Sequence, residues 1–273
     1  GADAAARFDG LVANVFRGHW RVDGLGPEGG AGRVFTTWAV PADERTDTFG
    51  VAEQMAVMST EGFEEHVRGK LLAYEREVKE LHVLLFPEVL DRVARFSRVL
   101  SQPGGHLLLA GRSGVGRRST ATLVSFMHRM EFVSPKMTLQ YDERAFRMDL
   151  KRILTEVGVE SKETLLFIED HQLVTPAILE TVNSLLSSGE VPGLFTNQEL
   201  DQMYGLLKEQ MNAVGSMLNA FDFFTARVKA GLHIVLSMDP ADSEWASRTE
   251  SNPALFTRCS MHWMDEWSEE GMR

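Results

Sequence analysis

The chain has 273 residues, of which 44% are apolar and 25% charged, and its net charge is −11. That length accommodates one large domain with an attachment, or two small ones, and the composition is that of an ordinary globular protein. The acidic balance argues against a general nucleic-acid groove, the single Cys259 excludes an internal disulfide and suits a reducing compartment, and no apolar run approaches the ~20 residues that span a bilayer.

The opening "GADAAARFDG" lacks the basic start and apolar centre of a secretion signal, so a cytosolic-side protein is expected. "FDGLVANVFRGHW" predicts a helix with Leu11, Val12, Val15 and Phe16 on one stripe. The Gly-rich "RVDGLGPEGGAGRV" predicts a loop and "FTTWAV" a short extended piece. From "AEQMAVMSTEGFEEHVRGKLLAYEREVKEL" the pattern is helical, with Ser59 or Thr60 as cap and its charges as a solvated face. "FPEVLDRVARFSRVLSQPGG" predicts a second helix, begun near Pro87 and stopped by Pro103-Gly-Gly.

An alternation follows. "HLLLAG" predicts a strand, "RRSTATLVSFMHRM" a helix and "EFVS" a short strand. "YDERAFRMDLKRILTEVG" is amphipathic, with Phe146, Leu150, Ile153, Leu154 and Val157 on one side and Gly158 as its stop. "TLLFIED" is an apolar strand ending in two carboxylates. "TPAILETVNSLLSSG" is a helix with Thr175 as cap and Pro176 at its first position. "EVPGLFTNQELDQMYGLLKEQMNAVG" reads as an insertion with one or two helices. "LNAFDFFTARVKAG" is a helix, "LHIVLSMD" a strand, "NPALFTRC" one helical turn and "SMHWMDEW" a last strand. Such alternation predicts a parallel sheet covered on both faces, with ligands beyond the carboxyl ends of the strands. Scattered histidines and the absence of C-x₂-C or H-x₃-H spacing give no structural zinc site.

Four features lie where such a fold would gather them. "GRSGVGRRST" nearly spells the phosphate-binding pattern G-x-x-x-x-G-K-[ST], between a strand and a helix as that motif requires. Gly111, Gly114 and Gly116 let the backbone curl so that its N–H groups face phosphate at a helix start; a plain glycine turn is the competing reading. Glu169 and Asp170 end an apolar strand, where a nucleotide hydrolase needs one carboxylate for magnesium and one for the attacking water. Strand-end surface acids are the alternative. Asp239 ends "LHIVLSMD", either as a sensor of the terminal phosphate or as a cap for "PADS". Arg258 follows a short helix and precedes the edge strand, as a finger into a neighbour's site or as a surface ion-pair partner.

With these residues in view, the chain resembles the motor ring of dynein heavy chains, which are AAA+ ATPases. "QPGGHLLLAGRSGVG", "NSLLSSGEVPGLF" and "NPALFTRC" carry the resemblance, and together they look like the fourth AAA+ module. "GRSGVGRR" with "IED" looks like the intraflagellar-transport class, cytoplasmic dynein two. The resemblance runs from about Glu61 to Trp267. It implies an α/β fold, the AAA+ large subdomain, with a five-stranded parallel sheet between helices and an N-terminal helical extension. Residues 1–60 would be a connecting segment or the tail of the preceding module and residues 61–273 the large subdomain, without the small helical subdomain, stalk or microtubule-binding tip. It implies ATP or ADP as ligand and leaves Mg2+ open. By position, Gly111, Arg112, Ser113, Gly114, Val115, Gly116, Arg117 and Arg118, with Ser119 beside them, form the nucleotide loop. Glu169 and Asp170 are the acidic pair and metal candidates, Asp239 the first sensor, and Leu84, Leu85 and Phe86 part of an adenine pocket. Arg258 would act in trans on the preceding module's nucleotide. Partners would be neighbouring modules of the same heavy chain, and microtubules only through parts outside this chain, with neither nucleic acid nor membrane. The location would be cytoplasm, cytoskeleton and cilium.

The motif departures matter. Arg117 stands where lysine is usual; its guanidinium is longer and planar. Arg118 stands where a hydroxyl usually meets magnesium, and it has no acceptor. Ser119 is rotated away by roughly 100° of helix. Asp170 is one methylene short of glutamate, ~1.5 Å, and misplacement on the order of 1 Å can cost ~10²-fold in rate. Binding with slow or no hydrolysis is therefore expected.

Overall fold

A computed structural model describes residues 32–41, 43–45, 48–138 and 141–264. The expected helix around Leu11–Phe16 and the end of the last strand lie outside them.

Five parallel strands form the main sheet: β3 (His106–Ala110), β4 (Glu131–Val133), β5 (Thr164–Glu169), β6 (Leu232–Met238) and β7 (Cys259–Trp263), in the order β4-β5-β6-β3-β7. β1 (Arg33–Thr36) and β2 (Ala56–Ser59) make a separate antiparallel pair. The helices are α1 (Thr60–Glu77), α2 (Pro87–Leu100), α3 (Arg117–Met127), α4 (Glu143–Glu160), α5 (Pro176–Ser188), α6 (Asn197–Ala213), α7 (Ala220–Gly231), α8 (Trp245–Ser251) and α9 (Ala254–Thr257).

The central strands are mostly apolar at successive residues, as strands covered on both faces are, with His233 and Ser237 as buried polar members of β6. Alternate residues still point to opposite sides. Leu107, Leu109, Leu165, Phe167 and Val235 pack with α1, α2 and α3. Leu108, Leu166, Ile168, Ile234 and Leu236 pack with α4, α5, α6 and α7. The AAA+ large-subdomain architecture expected from the sequence is therefore present.

Several local expectations are corrected. Residues 56–59 are strand rather than helix, because their alternation of half-buried and exposed residues suits pairing with β1. Ser59 then caps α1, its Oγ accepting from the Gly62 amide at 3.1 Å. "FTTWAV" is extended only through Thr36; a 3₁₀ turn follows and buries Trp38 against Phe63, His66 and His128. α3 ends at Met127, before left-handed Arg129, whose φ is 59°. Gly158 does not stop α4, which runs to Glu160 and ends at left-handed Ser161. A Cβ on Gly158 would sit 2.2 Å from Cε2 of Phe224, so this glycine permits α4 and α7 to pack closely. The insertion holds one helix, α6, opened by a Thr196–Glu199 capping box. Helix α8 is an element that the sequence pattern did not announce.

Candidate functional site

The glycine loop leaves the carboxyl end of β3, which lies between β6 and β7. β3 leads by α3 to the far strand β4, so the chain reverses direction across the sheet here, the point at which open α/β sheets place their ligand crevice. The Gly111 amide donates to the Met238 carbonyl at 3.1 Å, and the Met264 amide to the Ala110 carbonyl at 2.8 Å. Any Cβ on Gly111 would stand 2.4 Å from the Met264 carbonyl oxygen. Gly111 therefore serves the close passage of the backbone beside β7. Gly114 and Gly116 have φ of 90° and 78°, the left-handed region that glycine enters without penalty. Val115 is buried and roots the loop in the core, and its carbonyl accepts from Arg92 Nη1 of α2 at 2.7 Å.

Gly116 is the N-cap of α3, and no side chain caps that helix start. Its first amides are thus left for an acceptor beyond the loop. Arg117 is half-buried, and its Nη1 is buried without a hydrogen-bond partner. An orphan cationic donor behind a glycine loop is the chemistry of an anion seat. Arg112, Ser113 and Gly114 are exposed at the mouth.

Arg118 turns toward β5. Its Nη1 donates to Glu169 Oε2 at 3.1 Å, and its guanidinium lies 5.3 Å and 5.8 Å from the ring centres of Phe167 and Phe132. Ser119 is half-buried beside it. Gln172 fixes the end of β5: its Oε1 accepts from the Glu169 amide at 2.7 Å, and its Nε2 donates to Ser134 Oγ and to the Pro135 carbonyl. Asp170 begins the turn that follows. Its Oδ2 accepts from the Asp239 amide at 2.6 Å, and its Oδ1 stands 3.7 Å from Arg248 Nη1. Burial raises the Asp170 pKa, and the Asp239 amide, Arg117 and Arg248 pull it back only in part.

Asp239 takes up the capping geometry, its Oδ1 accepting from the Ala241 amide at 2.9 Å. Its backbone nevertheless reaches the acidic pair. Leu85 and Phe86 pack half-buried on the core ahead of α2, whereas the Leu84 side chain is 79% exposed. That segment is linked to the loop through α2 and Arg92. Arg258 stands apart. It is exposed at the amino end of β7, where Cys259 aligns with His106, whereas Trp263 aligns with Ala110 at the loop end. Five residues of strand place it ~16 Å from the loop.

The structure thus gathers Gly111–Ser119, Glu169, Asp170 and Asp239 at one sheet end and sends Arg258 to the other. Sequence reasoning missed Arg92, Gln172 and Arg248. Gln172 follows the acids directly and could have been noticed; Arg248 lies on the unannounced helix α8, and nothing local marked it. A cleft of about 900 Å3 lined by Lys70, His128, Arg129, Lys162 and His233 lies at the amino ends of the strands, and no loop residue lines it. A second cavity, of about 730 Å3, is lined by Arg118 and Ser119 together with Tyr74, Leu81 and Phe132.

Residues 81–273 match the family described as P-loop containing dynein motor region D4. The chain is 51% identical over 241 residues to cytoplasmic dynein 2 heavy chain 1 of Chlamydomonas reinhardtii, covering 87% of the chain. It is 40% identical over 282 residues to cytoplasmic dynein 2 heavy chain 1 of Homo sapiens, covering 100% of the chain. A cytoplasmic dynein heavy chain of Dictyostelium discoideum is 33% identical over 212 residues, 76% of the chain. The chain spans 6% of the length of the Chlamydomonas and human relatives and 4% of the Dictyostelium one. With the family match running over residues 81–273 and identities of 51% and 40% to dynein heavy chains across most of its length, this chain belongs to the P-loop-containing dynein motor region D4 family, within the AAA+ fold.

Proposed function

We propose that this chain is a nucleotide-binding regulatory module of a microtubule minus-end-directed dynein motor, of the class that serves intraflagellar transport. It holds ATP or ADP on the Gly111–Ser119 loop and hydrolyses it slowly or not at all. The observation that carries the reading is the buried, unpartnered Arg117 Nη1 behind an uncapped helix start. A phosphate oxygen supplies the acceptor that this donor lacks. Leu85 and Phe86 offer an apolar edge for the base.

Slow turnover follows from the state of the acidic pair. Asp170 sits where a base would orient water, but one of its oxygens already accepts from the Asp239 amide and the other faces Arg248. Burial leaves its proton affinity above the ordinary value, so the obstacle is placement: the side chain is one methylene short of glutamate and its oxygens face the Asp239 amide and Arg248. Arg258 acts in trans, offering its charge to the nucleotide of the preceding module, while residues 1–60 connect to that module and 61–273 form the large subdomain. Partners are then the neighbouring modules of one heavy chain. Microtubules are reached through other parts of the motor, in the cytoskeleton of the cilium. No helix among the described residues is long and apolar enough to cross a membrane.

Titration of the chain with labelled ATP and ADP tests the reading. Saturable binding is expected, with phosphate release far below the roughly 1–100 s⁻¹ typical of phosphoryl-transfer enzymes such as kinases. No saturable binding at millimolar nucleotide would leave a ring segment with structural duty alone. Release within that range would make the chain an active ATPase.

A further inference from the structure

The residues around the acidic pair do not fit a magnesium ion held in the usual P-loop manner. That manner needs an oxygen at the position of Arg118 and a free carboxylate at the end of the neighbouring strand. Here the first is a guanidinium with no acceptor atom. The second, Glu169, is already paired with it at 3.1 Å. The guanidinium is also held by the faces of Phe132 and Phe167. Gln172 fixes the Glu169 backbone beside it, its Oε1 accepting from the Glu169 amide at 2.7 Å. Among the described residues no cluster of three or more His, Cys, Asp or Glu side chains forms an alternative metal site.

We propose that Arg118 stands in the place of the divalent cation, so that this site binds adenine nucleotide without a metal. Resting on the nucleotide reading above, the inference assigns one arginine to each role that a metal site divides between ion and lysine. Arg117, with its unpartnered Nη1, meets the phosphates. Arg118 pairs with Glu169 at the start of α3 and keeps further N–H donors for a phosphate oxygen, at the position where a P-loop site would hold its divalent ion. A divalent ion entering there would meet the Arg118 guanidinium and have to compete with it for Glu169. Two positive side chains offset much of the phosphate charge without it.

The test is ADP affinity of the chain in EDTA and in millimolar Mg2+, by calorimetry, with Mn2+ electron paramagnetic resonance as a second readout. For the natural sequence the two affinities should agree within about twofold, and Mn2+ should give no signal of a bound ion in the ADP complex. Arg118→Thr restores a hydroxyl and frees Glu169. Its affinity should fall in EDTA and recover about tenfold with Mg2+, a difference of about 1.4 kcal/mol, and bound Mn2+ should appear. Arg118→Lys keeps a charge without an acceptor and should remain indifferent to metal. It also tests the idea should the threonine variant fail to fold. Natural-sequence binding that weakens about tenfold or more in EDTA, or a bound Mn2+ signal, overturns this inference and leaves the nucleotide reading standing. Absence of saturable binding in both buffers overturns the nucleotide reading and this inference with it.

Discussion

The backbone amide of Asp239 donates to Oδ2 of Asp170 across 2.6 Å, tying the end of β6 to the end of β5. Asp170 has a raised pKa because burial outweighs the help of that amide, Arg117 and Arg248. The fold therefore holds the Asp170 proton more tightly than the unfolded chain does. Ionised Asp170 opposes folding once pH rises above its ordinary value of 3.8, and the cost is present at neutral pH. Asp170→Asn keeps an oxygen to accept from Asp239 and removes the charge. Its urea midpoint at pH 7 should equal or exceed that of the natural sequence, and the gain should fade toward pH 4. A loss of more than about 1 kcal/mol at pH 7 would show that pairing with Arg248 dominates instead.

Acid should destabilise the chain through its histidines. Burial first of all holds His106 and His128 at about 3 and His233 at about 4, against an ordinary 6.5. Below 6.5 the unfolded chain takes up protons that the fold refuses. Stability is thus fully present above that value and declines as pH falls toward 4, by about 1.4 kcal/mol per unit for each such group. His128→Gln retains an amide to meet Ser97 Oγ, which lies 3.0 Å from His128 Nε2. Comparison of urea midpoints at pH 7 and pH 5 should show the variant's acid loss smaller by up to about 2 kcal/mol. Equal losses in both proteins would contradict the buried, neutral assignment.

Gly158→Ala sets helix propensity against packing. An alanine inside a helix is ordinarily better than glycine by about 1 kcal/mol. The new Cβ would lie 2.2 Å from Cε2 and 2.5 Å from Cδ2 of Phe224. Phe224 is buried and edge-packed on Phe195 at 6.0 Å, so it has little room to retreat. A net loss of about 1–3 kcal/mol in denaturant unfolding is expected. A more stable variant would mean that the α4–α7 contact yields easily.

Arg258→Ala separates cis from trans. Arg258 neighbours His106, whose proton affinity its charge depresses, and both stand at the sheet end opposite the loop. ADP affinity of the isolated chain should change by less than about twofold, well under 1 kcal/mol. In a complete motor, hydrolysis at the preceding module should fall by about 10³-fold or more, the scale of a lost arginine finger. A structure placing Arg258 on phosphates bound by its own chain's loop would end the trans assignment.

The sequence by itself determined the layered fold and the position of the loop. Residues 107–110, 165–168 and 234–236 are apolar at successive positions, which suits strands covered on both faces. The glycine spacing after the first of these and the two acids after the second marked the site, because both lie at strand ends where a parallel sheet gathers its functional groups. Tertiary structure alone decided how those groups are occupied. Arg118 meets Glu169 across 51 positions, and Asp239 meets Asp170 across 69, because β5, β6 and β3 are neighbours in an order that chain sequence does not give. Gly158 resembled a helix stop, for glycine is a usual one, yet the constraint on it comes from Phe224 on another helix. Arg248 carried no local signal at all, since its charge matters only where α8 comes to rest beside Asp170. Periodicity reports which face of an element is buried; it does not report what is buried against it, and pairing energies at this site are set by the second.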